Sequence, residues 1–225
     1  MAIGTPVQLG TFGMSGSSTT IALTTTTNAP AGSLIVVVVS NTGGIAPTSA
    51  TDSASNSYSV GSTAASGTAS VTLLWCLNAN ALNSGQTITV TFASSAANRQ
   101  ITAFAVSGVA SADLTGNAGA TATGTSVSLA TGALSSANAI VFGALDINGS
   151  IASGPSATGF TFGTSVTTTG QVLALAYQIV SSTASVTFNA TWTTSRTGAA
   201  NVATFVGSAA QPNYDPRVRL AYLDF

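Results

Sequence analysis

The chain has 225 residues but only nine formal charges, Asp52, Asp113, Asp146, Asp215, Asp224, Arg99, Arg196, Arg217 and Arg219, for a net charge of −1. It contains no Lys, Glu or His, and 4% charged residues compares with about 25% in an ordinary domain. Such a chain has nothing to neutralise a nucleic-acid backbone or to hold a polybasic segment on an anionic membrane. A Ser triad lacks its base, and a zinc site would have no imidazole and a single thiolate.

The first residues, "MAIGTPVQLG", have neither the basic start nor the apolar core of a signal peptide, so none is expected. "GMSGS" at 13–17 falls short of a nucleophile elbow because Ser17 stands where Gly is needed. Beyond it the texture is all-β: short alternating segments separated by Gly, Asn, Ser and Pro. Strands are predicted near 18–24, 33–40, 57–61, 69–77, 86–93 and 100–107. "SLIVVVVS" at 33–40 has six large apolar residues in a row. That is too short for a membrane span of about 20, and its β-branched valines suit a strand buried on both faces. What covers its outer face, whether a loop, a sheet edge or a neighbouring subunit, stays open at this stage.

In "TDSASNSY" at 51–58, Asp52 and Asn56 are placed to make Asx turns that lead into a strand at Tyr58. Their oxygens would also suit calcium, although one carboxylate is a thin donor set and Gly154 stands opposite Asp52 in the second half. Cys76, beside Trp75 in "VTLLWCL", has no disulfide partner and reads as a buried free thiol. "SSAAN" at 94–98 reads as one loose turn, and 110–124 as a long loop.

A second set of strands is predicted near 125–130, 138–147, 159–164, 170–180, 184–191 and 200–207. Asn148-Gly149 is a type I′ hairpin signal. Phe188, Ala190 and Trp192 alternate, which puts Trp192 on a core face. Trp192 and Tyr214 are the aromatics that could instead stack on sugars. After Ala210 the composition changes: "QPNYDPRVRLAYLDF" holds four of the nine charges and no Ser, Thr or Gly. This tail is either a terminal strand packed on its own domain or an arm that docks on a partner.

The two sets of strands look like copies. A shift of 106 carries Leu34, Ile35 and Val36 onto Ile140, Val141 and Phe142. A shift of 102 carries Val71, Leu73, Trp75 and Leu77 onto Leu173, Leu175, Tyr177 and Ile179. Two copies point to a duplicated sandwich rather than a solenoid. The expected fold is an antiparallel β-sandwich, jelly-roll-like, built from two similar halves. Its boundaries are an N-terminal segment 1–17, a sandwich 18–208 with pseudo-repeats about 18–110 and 123–208, and a C-terminal arm 209–225. A single sandwich with one sheet from each half is favoured over two small sandwiches.

The strings "DSASNSY", "TLLWCLNAN", "SGQTITVTF" and "ITAFAVSGV" resemble a jelly-roll-type domain of tailed-phage structural proteins and related bacterial surface proteins. Members show an Asp-Ser-x-Gly-Asn-x-Tyr turn, and Ser55 stands here where Gly is usual. "NAPAGSLIVVVVS" fits the family's first core strand, and the likeness spans about 18–207. It implies a non-enzymatic virion structural protein of a tailed bacteriophage, of capsid-decoration or head-fibre type. Its partners would be other virion proteins and copies of itself, with no nucleic acid, membrane, cofactor, metal or catalytic residue. Attachment is assigned to Tyr214, Arg217, Arg219 and Phe225. A tail-fibre-type carbohydrate-binding module, with a surface glycan as partner, is the alternative, and a secreted adhesin domain is a third reading.

Overall fold

The computed structural model describes residues 2–209. Within them the chain forms an antiparallel β-sandwich. The first half contributes β1 (Val7–Met14), β2 (Ser18–Thr24), β3 (Leu34–Thr42), β4 (Pro47–Asp52), β5 (Ser59–Ser66), β6 (Ala69–Cys76) and β7 (Thr87–Val106). The second contributes β8 (Val109–Ala130), β9 (Ala139–Asn148), β10 (Ser156–Ala157), β11 (Thr161–Phe162), β12 (Val166–Thr168), β13 (Gln171–Val180) and β14 (Thr187–Gly207).

The halves repeat the same wiring. The first sheet runs β1-β7-β3-β6-β5 and the second carries β8-β14-β9-β13-β11. In each half the long last strand is shared. The start of β7 pairs β2 and β4, whereas its end pairs β1 and β3. The strand bends where it changes partners, at Asn98 with φ 46°. Likewise the start of β14 pairs the end of β8, and its end pairs the start of β8 and β9. β8 therefore does in one strand what β1 and β2 do in two.

This wiring creates three apolar layers. The central one lies between the two sheets and holds Leu34, Val36, Val38, Phe104, Ile140, Phe142, Leu173 and Phe205. A second lies within the first half, where Ile21, Leu23, Ile88 and Val90 cover Ile35, Val37 and Val39. A third lies within the second half, where Val127, Phe188 and Trp192 cover Leu145 and Ile147. The valine run of β3 is thus covered on both faces by its own chain. Leu34 through Val39 are all at most 1% exposed, and burying each such side chain fully is worth about 1.5–3 kcal/mol.

Three local expectations are corrected. Residues 110–124 are not a loop but most of β8, held extended by their ladder to β14. Residues 94–98 are not a turn but the bent middle of β7. Asn148-Gly149 does not make a type I′ hairpin. Gly149 has φ 110° but Asn148 is not left-handed, and the following short strand β10 pairs β14 rather than β9. The Gly149 amide donates instead to the Gly170 carbonyl at 2.6 Å.

Candidate functional site

The halves are joined by two residues, Ser107 and Gly108, between β7 and β8. Gly108 has φ 79°, and a Cβ there would strike the Ala2 backbone, so only glycine fits. Both ends of the described chain meet this junction. Gly4 donates its amide to the Ser107 carbonyl at 3.0 Å, and Ser208 donates to the Gly108 carbonyl at 2.7 Å. Gly4 and Ser208 therefore lie together at one pole of the sandwich.

Among the described residues, five large apolar side chains are conspicuously exposed: Val7, Phe12, Met14, Val60 and Ile179. Three of them, Val7, Phe12 and Met14, sit on the single edge strand β1. Among the described residues that strand ladders only with β7, its Leu9 carbonyl also accepts from the Thr26 amide at 2.7 Å, and it carries no charge or proline, the usual protections of an edge. A separate cleft of about 380 Å³ opens between the edges β5 and β8, lined by Ser62, Thr63, Ala64, Ala65, Gly119, Ala120 and Thr121. Its lining is small and neutral.

The Asp52 turn forms as the spacing predicts. Asp52 Oδ1 accepts from the amides of Ala54 at 2.9 Å and Asn56 at 3.0 Å, and Oδ2 accepts from Asn56 Nδ2 at 2.9 Å and the Tyr58 hydroxyl at 2.8 Å. A carboxylate offers about four acceptor positions, so internal donors occupy them all and leave none aimed at a calcium ion. Ser55 takes φ 60°, a left-handed conformation uncommon outside glycine, and the Asp52 cap holds it there. Asn56 extends the network by accepting the Asn80 amide at 2.6 Å. Burial, then the bond to Asp52 and its charge, push the Tyr58 phenol well above its ordinary pKa. Burial and the Asp52 charge also raise the Cys76 thiol, against a backbone hydrogen bond from Ser57 that lowers it.

Trp192 is 5% exposed and packs in the second half's core, so it presents no ring to a sugar. Trp75 and Tyr177 pack edge-on against Phe205 and Phe104, each at 6.0 Å. The residues assigned to partner attachment, Tyr214, Arg217, Arg219 and Phe225, lie outside the described residues, as does all of the expected arm after residue 209. No group of three or more His, Cys, Asp or Glu side chains able to hold a metal is present among the described residues. The exposed strip on β1 escapes a sequence reading because two glycines interrupt "VQLGTFGM" and hide its alternation.

Comparison with known proteins finds no matching family model, no matching curated protein and no matching solved structure.

Proposed function

We propose that the chain is a non-enzymatic structural protein of a tailed-phage virion, of decoration or head-fibre type, attached through its termini. The observation that supports this most is the convergence of Gly4 and Ser208 on the Ser107–Gly108 junction. A body in which Gly4 and Ser208 meet at one pole can be anchored there while the rest projects. Its faces suit crowded packing, because burying hydroxyls and small apolar groups costs far less than burying charges. The uncharged β1 edge with Val7, Phe12 and Met14 supplies apolar area for contact between copies or with a neighbouring virion protein.

The test is reconstitution on particles lacking the protein. The full chain should bind them, and a chain ending at Ala210 should fold with the same circular dichroism yet fail to bind. Full occupancy by the truncated chain would overturn attachment through the arm. A glycan array run alongside decides the carbohydrate-binding alternative: saturable binding to one sugar class, with no binding to particles, would replace the structural reading.

A further inference from the structure

One carboxylate is sealed between the two sheets. Asp146 on β9 is 0% exposed and points into the central layer, two residues beyond Ala144 on the same face. It is the counterpart of Ser40 on β3 under the 106-residue shift. Around it lies a polar network that crosses from one half to the other. Asp146 Oδ2 accepts from the Ser70 amide at 2.9 Å and from Gln171 Nε2 at 3.0 Å. The Ser40 hydroxyl donates to Gln100 Oε1 at 3.0 Å. Gln100 Nε2 in turn donates to Thr168 Oγ1 at 2.9 Å, the Gln171 carbonyl at 3.0 Å and the Val166 carbonyl at 3.3 Å. Ser40, Ser70 and Gln100 belong to the first half; Asp146, Val166, Thr168 and Gln171 belong to the second.

Two buried acceptors in this network have no donor, Asp146 Oδ1 and Gln171 Oε1. Among the described residues no arginine compensates the carboxylate: Arg99 and Arg196 both bond backbone carbonyls elsewhere. The groups that face it are Ser40 from β3, Ser70 from β6, Gln100 from β7, Gln171 and Leu173 from β13, and Ala199 from β14. None of them titrates. Arg99, next to Gln100, turns to the opposite face and donates to the carbonyls of Gly16 and Thr20. An ionised carboxylate so enclosed, with one oxygen unpaired, costs several kcal/mol. A proton on Oδ1 removes the charge and turns one of the two orphan acceptors into a donor.

We propose that Asp146 is a neutral acid in the folded protein at neutral pH, its proton on Oδ1, and that this acid is a latch which makes closure of the two sheets depend on pH. Burial pushes its carboxyl well above the ordinary range, overriding the hydrogen bonds from the Ser70 amide and Gln171 that favour the charge. The sign follows from linkage. The unfolded chain releases this proton near pH 4, while the folded chain keeps it. The latch is therefore complete in acid, and its contribution is lost as pH rises from there toward the folded-state value. Each pH unit in that window raises the unfolding constant about tenfold. The chain has no His or Glu, so between about pH 5 and pH 8 almost no other side chain titrates in either state.

The experiment is urea unfolding of the full chain and of Asp146→Asn from pH 5 to pH 8. The wild-type midpoint should fall with rising pH, and the Asn variant, which keeps a donor in place of the acid, should lose that slope. The same slope in both, or a rising wild-type midpoint, overturns the proposal. A second readout needs no variant: the side-chain carbonyl carbons of the five Asp residues, followed by NMR across the same range. One should remain in its protonated position at pH 7. If all five report carboxylate there, or if sodium or potassium raises the wild-type midpoint and abolishes the slope, then a buried charge with a bound cation takes the proton's place and the latch is wrong.

Discussion

Arg99 Nη2 donates to the carbonyl of Gly16 at 2.7 Å, across 83 residues of chain. Its other terminal nitrogen donates to the carbonyl of Thr20. The side chain is 1% exposed, and burial lowers its pKa. In the second half β8 runs without a break from Val109 to Ala130. In the first half the equivalent path is interrupted between β1 and β2, at 15–17. Arg99 spans that interruption from the bend of β7. Arg99→Ala would strand two carbonyls and open a void, so it should lower stability by about 2–4 kcal/mol. Lys, with one compact charge in place of a planar fork, should recover only part of that. Urea unfolding of both variants measures the order; an alanine variant as stable as wild type would show that the clamp holds nothing.

Gly143 on β9 lies under the ring of Phe188 from β14. A Cβ placed there would come within 2.5 Å of the ring carbons. The position needs no unusual φ, so its requirement for glycine is purely one of space. Gly143→Ala should cost about 1–3 kcal/mol by overpacking. In a Phe188→Leu background the same change should cost less, and a double-mutant cycle measures the coupling. Additive effects would mean the ring gives way freely.

Tyr58 bonds Asp52 only through its protonated hydroxyl. Its folded-state pKa is raised, so its contribution is intact below the unfolded value of about 10 and is lost as pH climbs above that. Tyr58→Phe should cost about 1–3 kcal/mol at pH 7. Above pH ~10 the stability curves of wild type and variant should converge. Parallel curves through the alkaline range would remove the phenol–carboxylate bond from the account.

Cys76 is 6% exposed and its thiol pKa is raised. Since thiolate is the reactive form, a disulfide reagent should label it far more slowly in the native protein than in urea. Equal rates in both would mean that the inner layer of the first half opens readily.

Much of this architecture could be read from residue order. The apolar runs of β3, β6, β9 and β13 are strong because both faces of these strands are buried, and they carried the repeat with them. Asp52, Asn56 and Tyr58 could be read too, since an Asx cap acts within a few residues. What escaped were the lengths of β7, β8 and β14. Their middles are Ser, Ala, Asn and Thr, the composition of a turn, and they stay extended because each strand is laddered to neighbours at both of its ends, β8 to β14 alone. The sealed network around Asp146 escaped as well. Its members, Ser40, Ser70, Gln100 and Gln171, look like surface residues one at a time and meet only when the halves close.

Because Gly4 and Ser208 both hydrogen-bond the two-residue junction, the order of the halves along the gene is arbitrary as far as the folded body is concerned. A circular permutant that begins at Val109, runs through the old ends across a short flexible splice and stops at Gly108 should recover the same sandwich. Cutting at that hinge exchanges one covalent link for another at the same pole.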